Sequence, residues 1–524
     1  MKKVIHKYYL FLPLLFLCFF YEYKSFWFPI HDFNNYYFGG AFLADGNFNF
    51  KIYFPYEFNK AIANAGYLNV FASYAPNTPF LAFLFLPFSF VSVATAKLIF
   101  NCISIGLFVL SIFKLFTFYK VNSKYALLIP LLFLVPIKNN LLFGQVYFLV
   151  FFLLTEGMLA YEKKCWERMA LFWSLAILLK VFPALLILFL LFKKQWKPLC
   201  YLFVSCILLL GISLFFTGID IWIFYLKVVL PKASNGEIAS AFVPNYQSVF
   251  MFLKELLVFD VTDNPLNVFN YPNLFFALML AFKIGILGFG YFISNRTSNS
   301  LIAFSYWILV MILISPYGST YTFILHLFLY FALLISNISN VKKVLGFLLL
   351  FLISNLPLSI FITNDFPYSY LRLFLLLLFF GLFLIQFKQE YNWKLLAFAC
   401  FIPMILVLVF KKEEIGKSKI LFKNGPMLTY NYEIQFNRTT NLYFLTASFW
   451  DGKEKKMFCP SQDINTFQEL KLKNNQVFYK NRQLTFDKSN KLKPMLIDKK
   501  AILFLSDYDR GIGFYTLRKT VLND

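Results

Sequence analysis

Thirteen apolar stretches, parted by short polar or charged segments, leave this chain one compatible environment. They fall near residues 8–28, 79–95, 97–118, 125–136, 146–161, 169–192, 198–217, 272–294, 301–314, 319–337, 344–362, 369–388 and 395–410. A helix needs about 20 apolar residues to cross the hydrocarbon core of a bilayer, and fewer where it is short or broken. Charge content agrees. Only 14% of the 524 residues are charged, against 60% hydrophobic, whereas a soluble domain carries roughly 25% charged residues. So much apolar surface exceeds what one water-exposed fold of this length can hide. The expectation is an all-α polytopic membrane protein of about eleven to thirteen transmembrane helices, with the lipid bilayer as its first partner.

The segments between the runs set an orientation. The net charge is +23, from 49 Lys and Arg against 26 Asp and Glu. Such an excess can mark a nucleic-acid surface, but here the basic residues form short clusters between apolar runs, as cytoplasmic loop anchors do. No nucleic-acid partner is expected. Lys114, Lys120 and Lys124, residues 162–168, 193–197, Arg296, Lys342, Lys343 and residues 388–394 read as cytoplasmic. Residues 22–78, 137–145, 218–271, 315–318 and 363–368 are poor in Lys and Arg for their length and read as external. Met1-Lys2-Lys3 before an apolar run resembles a signal peptide, but no small-residue cleavage site follows. It reads as an uncleaved first span with a cytoplasmic N-terminus.

Two runs strain this alternation. The stretch 79–95 begins and ends outside and is expected as a re-entrant or half helix. The stretch 169–192 has basic clusters at both ends and Lys180-Val181-Phe182-Pro183 in its middle. Proline removes a helix hydrogen bond, and a broken helix is tolerated in a membrane only where it is buried or lines a cavity. Two short helices meeting at a break are therefore expected. Beyond Phe410 the chain turns polar, with short apolar alternations at 427–432, 442–445 and 501–505 that read as strands. This divides the chain into a transmembrane domain, residues 1–410, and a small β-rich or α+β external domain, residues 411–524. The seven cysteines show no paired spacing, which argues against a disulfide framework or a zinc motif.

Polar groups in and near a bilayer are costly and mark function more often than elsewhere. Asp32 follows the first span, beside His31, in Phe28-Pro29-Ile30-His31-Asp32-Phe33-Asn34-Asn35-Tyr36-Tyr37. A carboxylate there can act as a general base toward a lipid-delivered substrate, or simply cap a helix. Gly144-Gln145 follows Asn139-Asn140; its amide suits a sugar hydroxyl, and the same pattern can be a helix start signal. Lys180 sits at the expected break, near the face opposite the basic clusters. A lysine there can hold a phosphate as a point charge or snorkel to the interface. Asn245 and Gln247, in Asn245-Tyr246-Gln247-Ser248, and Ser315 and Tyr317, in Ser315-Pro316-Tyr317-Gly318-Ser319, lie on external turns. His326, inside a run, is either a pocket ligand or a packed core residue. No carboxylate cluster suggests a metal ion, and no cofactor is expected.

The order of these motifs resembles glycosyltransferase family 87, of the GT-C superfamily of polyprenyl-phosphate-sugar-dependent transferases. Asp-Phe-x-x-Tyr-Tyr after the first span is followed by Tyr-x-Pro, Gly-Gln, Lys-x-x-Pro before Lys-Lys-x-Trp, Asn-x-Gln-Ser, and Ser-Pro-x-x-Ser. The resemblance covers about residues 10–400 and leaves the tail aside. It implies a GT-C-like fold and transfer of a mannose-like hexose from a polyprenyl-phosphate donor to a lipid or glycan acceptor at the outer face of the cell's inner membrane. It further implies Asp32 as catalytic base, with His31, Tyr36 and Tyr37 shaping the pocket. Gln145, Lys180, Asn245, Gln247, Ser315, Tyr317 and His326 would line the substrate cavity, Lys180 near the phosphate. Where the family often carries histidine after Ser-Pro, this chain reads Tyr317-Gly318-Ser319.

The chemistry is self-consistent. A polyprenyl phosphate leaves well, so one base suffices. Single displacement then inverts the anomeric centre, unlike the two-carboxylate plan of glycosidases. The rival readings are a lipid-linked saccharide transporter or flippase, and a polysaccharide polymerase or ligase. A transporter predicts paired broken segments around a midplane site, whereas here the polar motifs gather on one face. A polymerase or ligase more often carries its large external loop late in the chain.

Overall fold

Helix dominates up to Phe410 and strand follows it, as the change in composition requires. The computed structural model describes residues 9–521 apart from 69, 239–241, 244, 245, 261–263, 387–391, 411–418, 422–428, 438–441, 450–452, 460–469, 488, 499, 500 and 509. Five helices are long and apolar enough to cross a membrane: Tyr9–Phe26, Val93–Phe118, Trp196–Thr217, Pro272–Arg296 and Tyr368–Ile385. Val93–Phe118 has 26 residues and reaches about 39 Å at 1.5 Å per residue, more than the roughly 30 Å hydrocarbon core. On Trp196–Thr217 the side chains of Phe203, Val204, Ile207, Leu208 and Phe215 all stand exposed. A continuous apolar face of this kind is at home only against lipid tails. The chain is a multi-pass membrane protein.

Of the expected eleven to thirteen spans, five among the described residues are long and apolar enough to cross unbroken, or six if the pair Ser123–Leu132 and Leu134–Phe143, bent by 66°, counts as one. The other runs fold as shorter helices, among them Pro79–Phe90, Phe182–Phe192, Ser300–Ile314 and Thr320–Ile335. An apolar run fixes the environment and not the continuity of a helix. At the 66° bend Pro136 has no N–H to offer the carbonyl of Leu132. Asn355 takes over: its Nδ2 donates to that carbonyl at 2.9 Å and its Oδ1 accepts from Val135 N at 3.0 Å. Ser300–Ile314 is too short to cross, and residues 301–313 are all buried. It is a central helix wrapped in protein, apolar on every side as such a position demands.

The stretch 169–192 breaks at its lysine. Helix Trp166–Leu179 ends on Lys180, whose backbone is extended at φ −142°, ψ 122°, and the chain resumes as a 3-10 turn Phe182–Leu185 and a helix Leu186–Phe192. Glu156, buried on helix Tyr147–Glu162, pairs with Lys114 at 2.5 Å and with Arg168. That cluster ties three helices together at the end away from Lys180.

The tail is antiparallel sheet. One sheet runs Lys419–Ile420, Thr516–Val521, Ala501–Ser506, Lys491–Asp498; a second runs Thr429–Asn437, Leu442–Phe449, Glu454–Cys459; a third is a small meander over Leu470–Gln483. Residues 429–432, 442–445 and 501–505 of the expected strand segments belong to these sheets, while 427 and 428 lie outside the described residues. The first two sheets share a core of Tyr432, Leu445, Phe449, Leu503, Leu505 and Leu517, while Ile512, from the turn before the last strand, packs into the core of the helical domain.

Candidate active site

The site begins at the first polar turn after the first span. His31 adopts a left-handed φ of 41°, and Asp32 already has helical angles, φ −63°, ψ −20°, at the head of helix Phe33–Ala44. A helix cap needs extended backbone, so that its side chain can reach forward to the free N–H groups. Asp32 makes no such bond. Those donors are served by backbone instead: Asn34 N binds the carbonyl of His31 and Asn35 N that of Asp32, both at 3.1 Å. The carboxylate is thereby spared from capping, with about a third of its side chain exposed.

Two side chains hold it. His31 Nδ1 lies 3.1 Å from Oδ1, its ring stacked on Phe143 at 4.4 Å. Gln145 Nε2 donates to Oδ2 at 2.5 Å, while Gln145 Oε1 accepts from the Tyr36 hydroxyl at 2.7 Å. The amide is therefore fixed at both ends. Its backbone is fixed by the end of helix Leu134–Phe143, where Gly144, at φ 64°, turns the chain and Gln145 N returns to the carbonyl of Asn140. A Cβ on Gly144 would lie 2.8 Å from Cβ of Phe33, so only glycine lets this turn approach the Asp32 helix.

The carbonyls just before that turn are secured by buried polar groups. Lys97 Nζ donates to Leu142 O at 2.7 Å. Ser25 Oγ and Asn101 Nδ2 donate to Leu141 O, and Asn101 also donates to Glu22 at 2.7 Å. These groups come from helices Leu12–Phe26 and Val93–Phe118. Buried polar groups stay in an apolar interior only when so paired; here the pairing pins the segment that carries Gln145.

Lys180 reaches the same place from the helix break. Its Nζ donates to Asn77 Oδ1 at 2.8 Å and lies over the rings of Tyr36 at 5.6 Å and Tyr147 at 5.8 Å. Among the described residues no carboxylate stands within ion-pair distance of it. The field of the Asp32 carboxylate reaches Lys180, Tyr36, Tyr147, Tyr246 and Tyr321. The cluster is thus one carboxylate, one ammonium group and a ring of phenols: a proton acceptor, a cation and flat aromatic surfaces side by side.

Of the residues singled out by sequence, Asp32, His31, Tyr36, Gln145 and Lys180 come together. Tyr37, one residue on, turns away and donates to Val91 O at 2.9 Å. Gln247 is buried and donates to Ser369 O at 2.9 Å. Ser315 Oγ folds its own turn by accepting from Tyr317 N at 3.1 Å. Tyr317 donates to Ala233 O and meets Tyr246 edge-on at 5.4 Å. His326 is fully buried and stacked on Phe323 at 5.0 Å, with no hydrogen-bond partner for either ring nitrogen among the described residues. Asn245 lies outside the described residues. Sequence reasoning missed Asn77, Tyr147 and Tyr321. Asn77 directly follows the Tyr74-Ala75-Pro76 motif; the two tyrosines carried no local signal, since the fold alone brings them near Asp32.

A separate polar recess, lined by Lys193, Gln195, Ser294 and Arg296, lies toward the far ends of these helices. No carboxylate lines it, and it is distinct from the Asp32 cluster.

Compared with known families, residues 75–316 match the model of Glycosyltransferase family 87. That stretch contains Asn77, Gln145, Lys180, Gln247 and Ser315, and begins after Asp32. No curated protein and no solved structure matches the chain.

Proposed function

Residues 75–316 match the model of glycosyltransferase family 87, and from that likeness we propose that the chain transfers a mannose-like hexose from a polyprenyl-phosphate donor to a lipid or glycan acceptor. The proposed architecture is GT-C-like. Its N-terminus is cytoplasmic and the Asp32 face external, in the inner membrane of the cell. Glycosyl transfer, sugar donor, acceptor and membrane setting follow from the family; the donor class, the sugar and the residue roles are the proposal.

One observation carries it. The Asp32 carboxylate is not used as a helix cap, is held by Gln145, and shares its cluster with a lysine that has no acidic partner within ion-pair distance among the described residues. Asp32 takes the proton of the acceptor hydroxyl as that oxygen attacks the anomeric carbon. The bond to the phosphate oxygen breaks on the opposite face, and the configuration inverts. Lys180 neutralises charge on the departing phosphate. Tyr36 and Tyr147 offer ring faces to the sugar, and Gln145 keeps the carboxylate aimed.

The test is transfer by purified protein from polyprenyl-phosphate mannose, glucose and other hexose donors, scored as released polyprenyl phosphate. Asp32→Asn is expected to insert normally and to lose transfer. Full transfer in that variant would remove Asp32 from the chemistry. No release from any donor would favour the transporter reading.

A further inference from the structure

The tail does not hang free. Lys232, on the short helix Leu230–Ser234, is almost fully buried, and its Nζ lies 3.0 Å from Asp507 Oδ1 and 3.2 Å from the carbonyls of Asp507 and Arg510. Asp507 is itself built into the tail. Its Oδ1 accepts from Asn490 N at 2.7 Å, and its Oδ2 accepts from Asn490 Nδ2 at 2.7 Å and Gly513 N at 3.1 Å. Arg510 reaches Asp260 at 3.5 Å. Gly513, at φ 74°, lets the turn press on Phe54 of the first polar loop, and Ile512 enters the helical core. Lys232 also lies 3.9 Å from Glu237 on its own side, so removing Lys232 strands the buried Asp507, while removing Asp507 frees Lys232 from the tail and leaves it to Glu237.

The same short helix touches the site from its other side. The Tyr317 hydroxyl donates to Ala233 O, one residue past Lys232. Tyr317 packs on Tyr246, and Ser248 Oγ ties that loop to Pro316 O at 2.8 Å. Four residues past Tyr317 the ring of Tyr321 lies 5.3 Å from Tyr147, the ring under Lys180 Nζ. A continuous set of contacts thus runs from Asp507 through Lys232, Ala233 and Tyr317 to Tyr246.

We propose that the C-terminal β domain is a fixed wall of the catalytic cavity, with the Asp507–Lys232 pair as its latch and the Tyr317–Tyr246 edge as the surface it positions. The proposal rests on the glycosyltransferase reading above. The wall attaches to segments outside the long spans, so of the two acceptor classes above it suits a glycan arriving from water, while the lipid donor arrives through the bilayer. Lys232 and Asp507 are positioning residues.

The experiment compares full-length wild type, Lys232→Met, Asp507→Asn and the double variant over ranges of donor and acceptor concentration. Each single change is expected to raise the acceptor KM at least about fivefold, with the donor KM unchanged within about twofold. The double is expected to be no worse than the worse single. Variants within twofold of wild type, or a fall in maximal rate with both KM values unchanged, would overturn the latch. Docking is read without any activity by the pair Phe54→Cys and Gly513→Cys, whose Cβ positions lie 3.4 Å apart, close to the roughly 3.5–4.5 Å of a disulfide. The cross-link is expected to form on mild oxidation and to leave at least half of the reduced variant's transfer. Failure to form overturns the docked placement, and loss of transfer on oxidation overturns a fixed wall in favour of a moving one. Wild type that transfers no sugar defeats the catalytic reading alone, because the cross-link still decides the docking.

Discussion

Replacing Gln145 with leucine keeps the shape of the side chain and removes both of its polar bonds. The Tyr36 hydroxyl, almost fully buried, then loses the acceptor of its own proton, Gln145 Oε1 at 2.7 Å, and keeps only the bond it accepts from the Val146 backbone. A buried donor left without an acceptor costs about 1–3 kcal/mol. The Asp32 carboxylate loses its 2.5 Å donor but keeps its access to water and to His31, so its own penalty is smaller. Removing both members of a hydrogen-bonded pair is often close to neutral for stability. Adding Tyr36→Phe should therefore return most of the thermal stability that Gln145→Leu removes. Activity should behave differently. A base that is no longer aimed loses its near-attack geometry, and a misplacement of about 1 Å can cost roughly a hundredfold in rate. Both Gln145→Leu and the double variant should transfer sugar at least about tenfold more slowly than wild type. Thermal unfolding in detergent and initial transfer rates, measured on the same preparations, separate the two effects. Undiminished transfer in Gln145→Leu, or transfer restored along with stability in the double variant, would refute the claim that the amide aims the base.

Two further outcomes follow from the geometry. Gly144→Ala should destabilise more than Gly46→Ala: both glycines have positive φ, which costs an alanine about 1–2 kcal/mol, but only at Gly144 does the new methyl meet Phe33 at 2.8 Å, while Gly46 faces open space. Equal melting points for the two variants would dismiss the Phe33 contact. In the tail, burial pushes the Asp487 carboxyl up, but its hydrogen bonds and ion pair with Lys491 and its bonds from Ser489 outweigh this and leave it below its ordinary value. A carboxylate held low in the folded state adds stability above its unfolded pKa of about 4 and loses it as pH falls through the folded value. Protection factors of the amides in strand Lys491–Asp498, which correct for the intrinsic pH dependence of exchange, should therefore fall below about pH 4, and less so in Asp487→Asn; identical acid profiles would count against the pair.

What the sequence discloses here follows the range of the interaction. The break at Lys180 was legible because Pro183 and its lysine are local. Asp32, Gln145 and Lys180 could each be singled out because a polar group beside long apolar runs stands out against its neighbours. Tyr36 and Tyr37 looked equivalent, yet adjacent helical residues point about 100° apart, and only Tyr36 faces Gln145. The bend at Pro136 was not legible as a bend, because the group that makes it tolerable, Asn355, lies more than 200 residues away. The same distance rule hid the tail's docking. Lys232 and Asp507 are separated by 275 residues, and neither stretch announces a partner. Polar groups paired over long range are what allow short, broken helices to stay in an apolar setting, so the span count suffers from the same blindness that hid the latch.

A carboxylate at the head of a helix has two possible employments, and from sequence Asp32 could have had either. The structure removes one: with φ and ψ already helical and the donors of Asn34 and Asn35 satisfied by backbone carbonyls, there is no cap for the side chain to make. This changes what a substitution can report. At a true N-cap, alanine costs about 1 kcal/mol and asparagine almost nothing, so lost activity would mix folding with chemistry. At Asp32 neither change removes a cap bond. Asp32→Asn, which keeps an acceptor for the buried Gln145 amide, should unfold within about 0.5 kcal/mol of wild type. Asp32→Ala strands that amide and should cost about 1–3 kcal/mol; transfer disappears in both. In a Gln145→Leu background, where Asp32→Ala strands no amide, a further loss of about 1 kcal/mol that Asp32→Asn does not show would mean that the residue caps the helix in solution. The catalytic assignment would then have lost the observation it stands on.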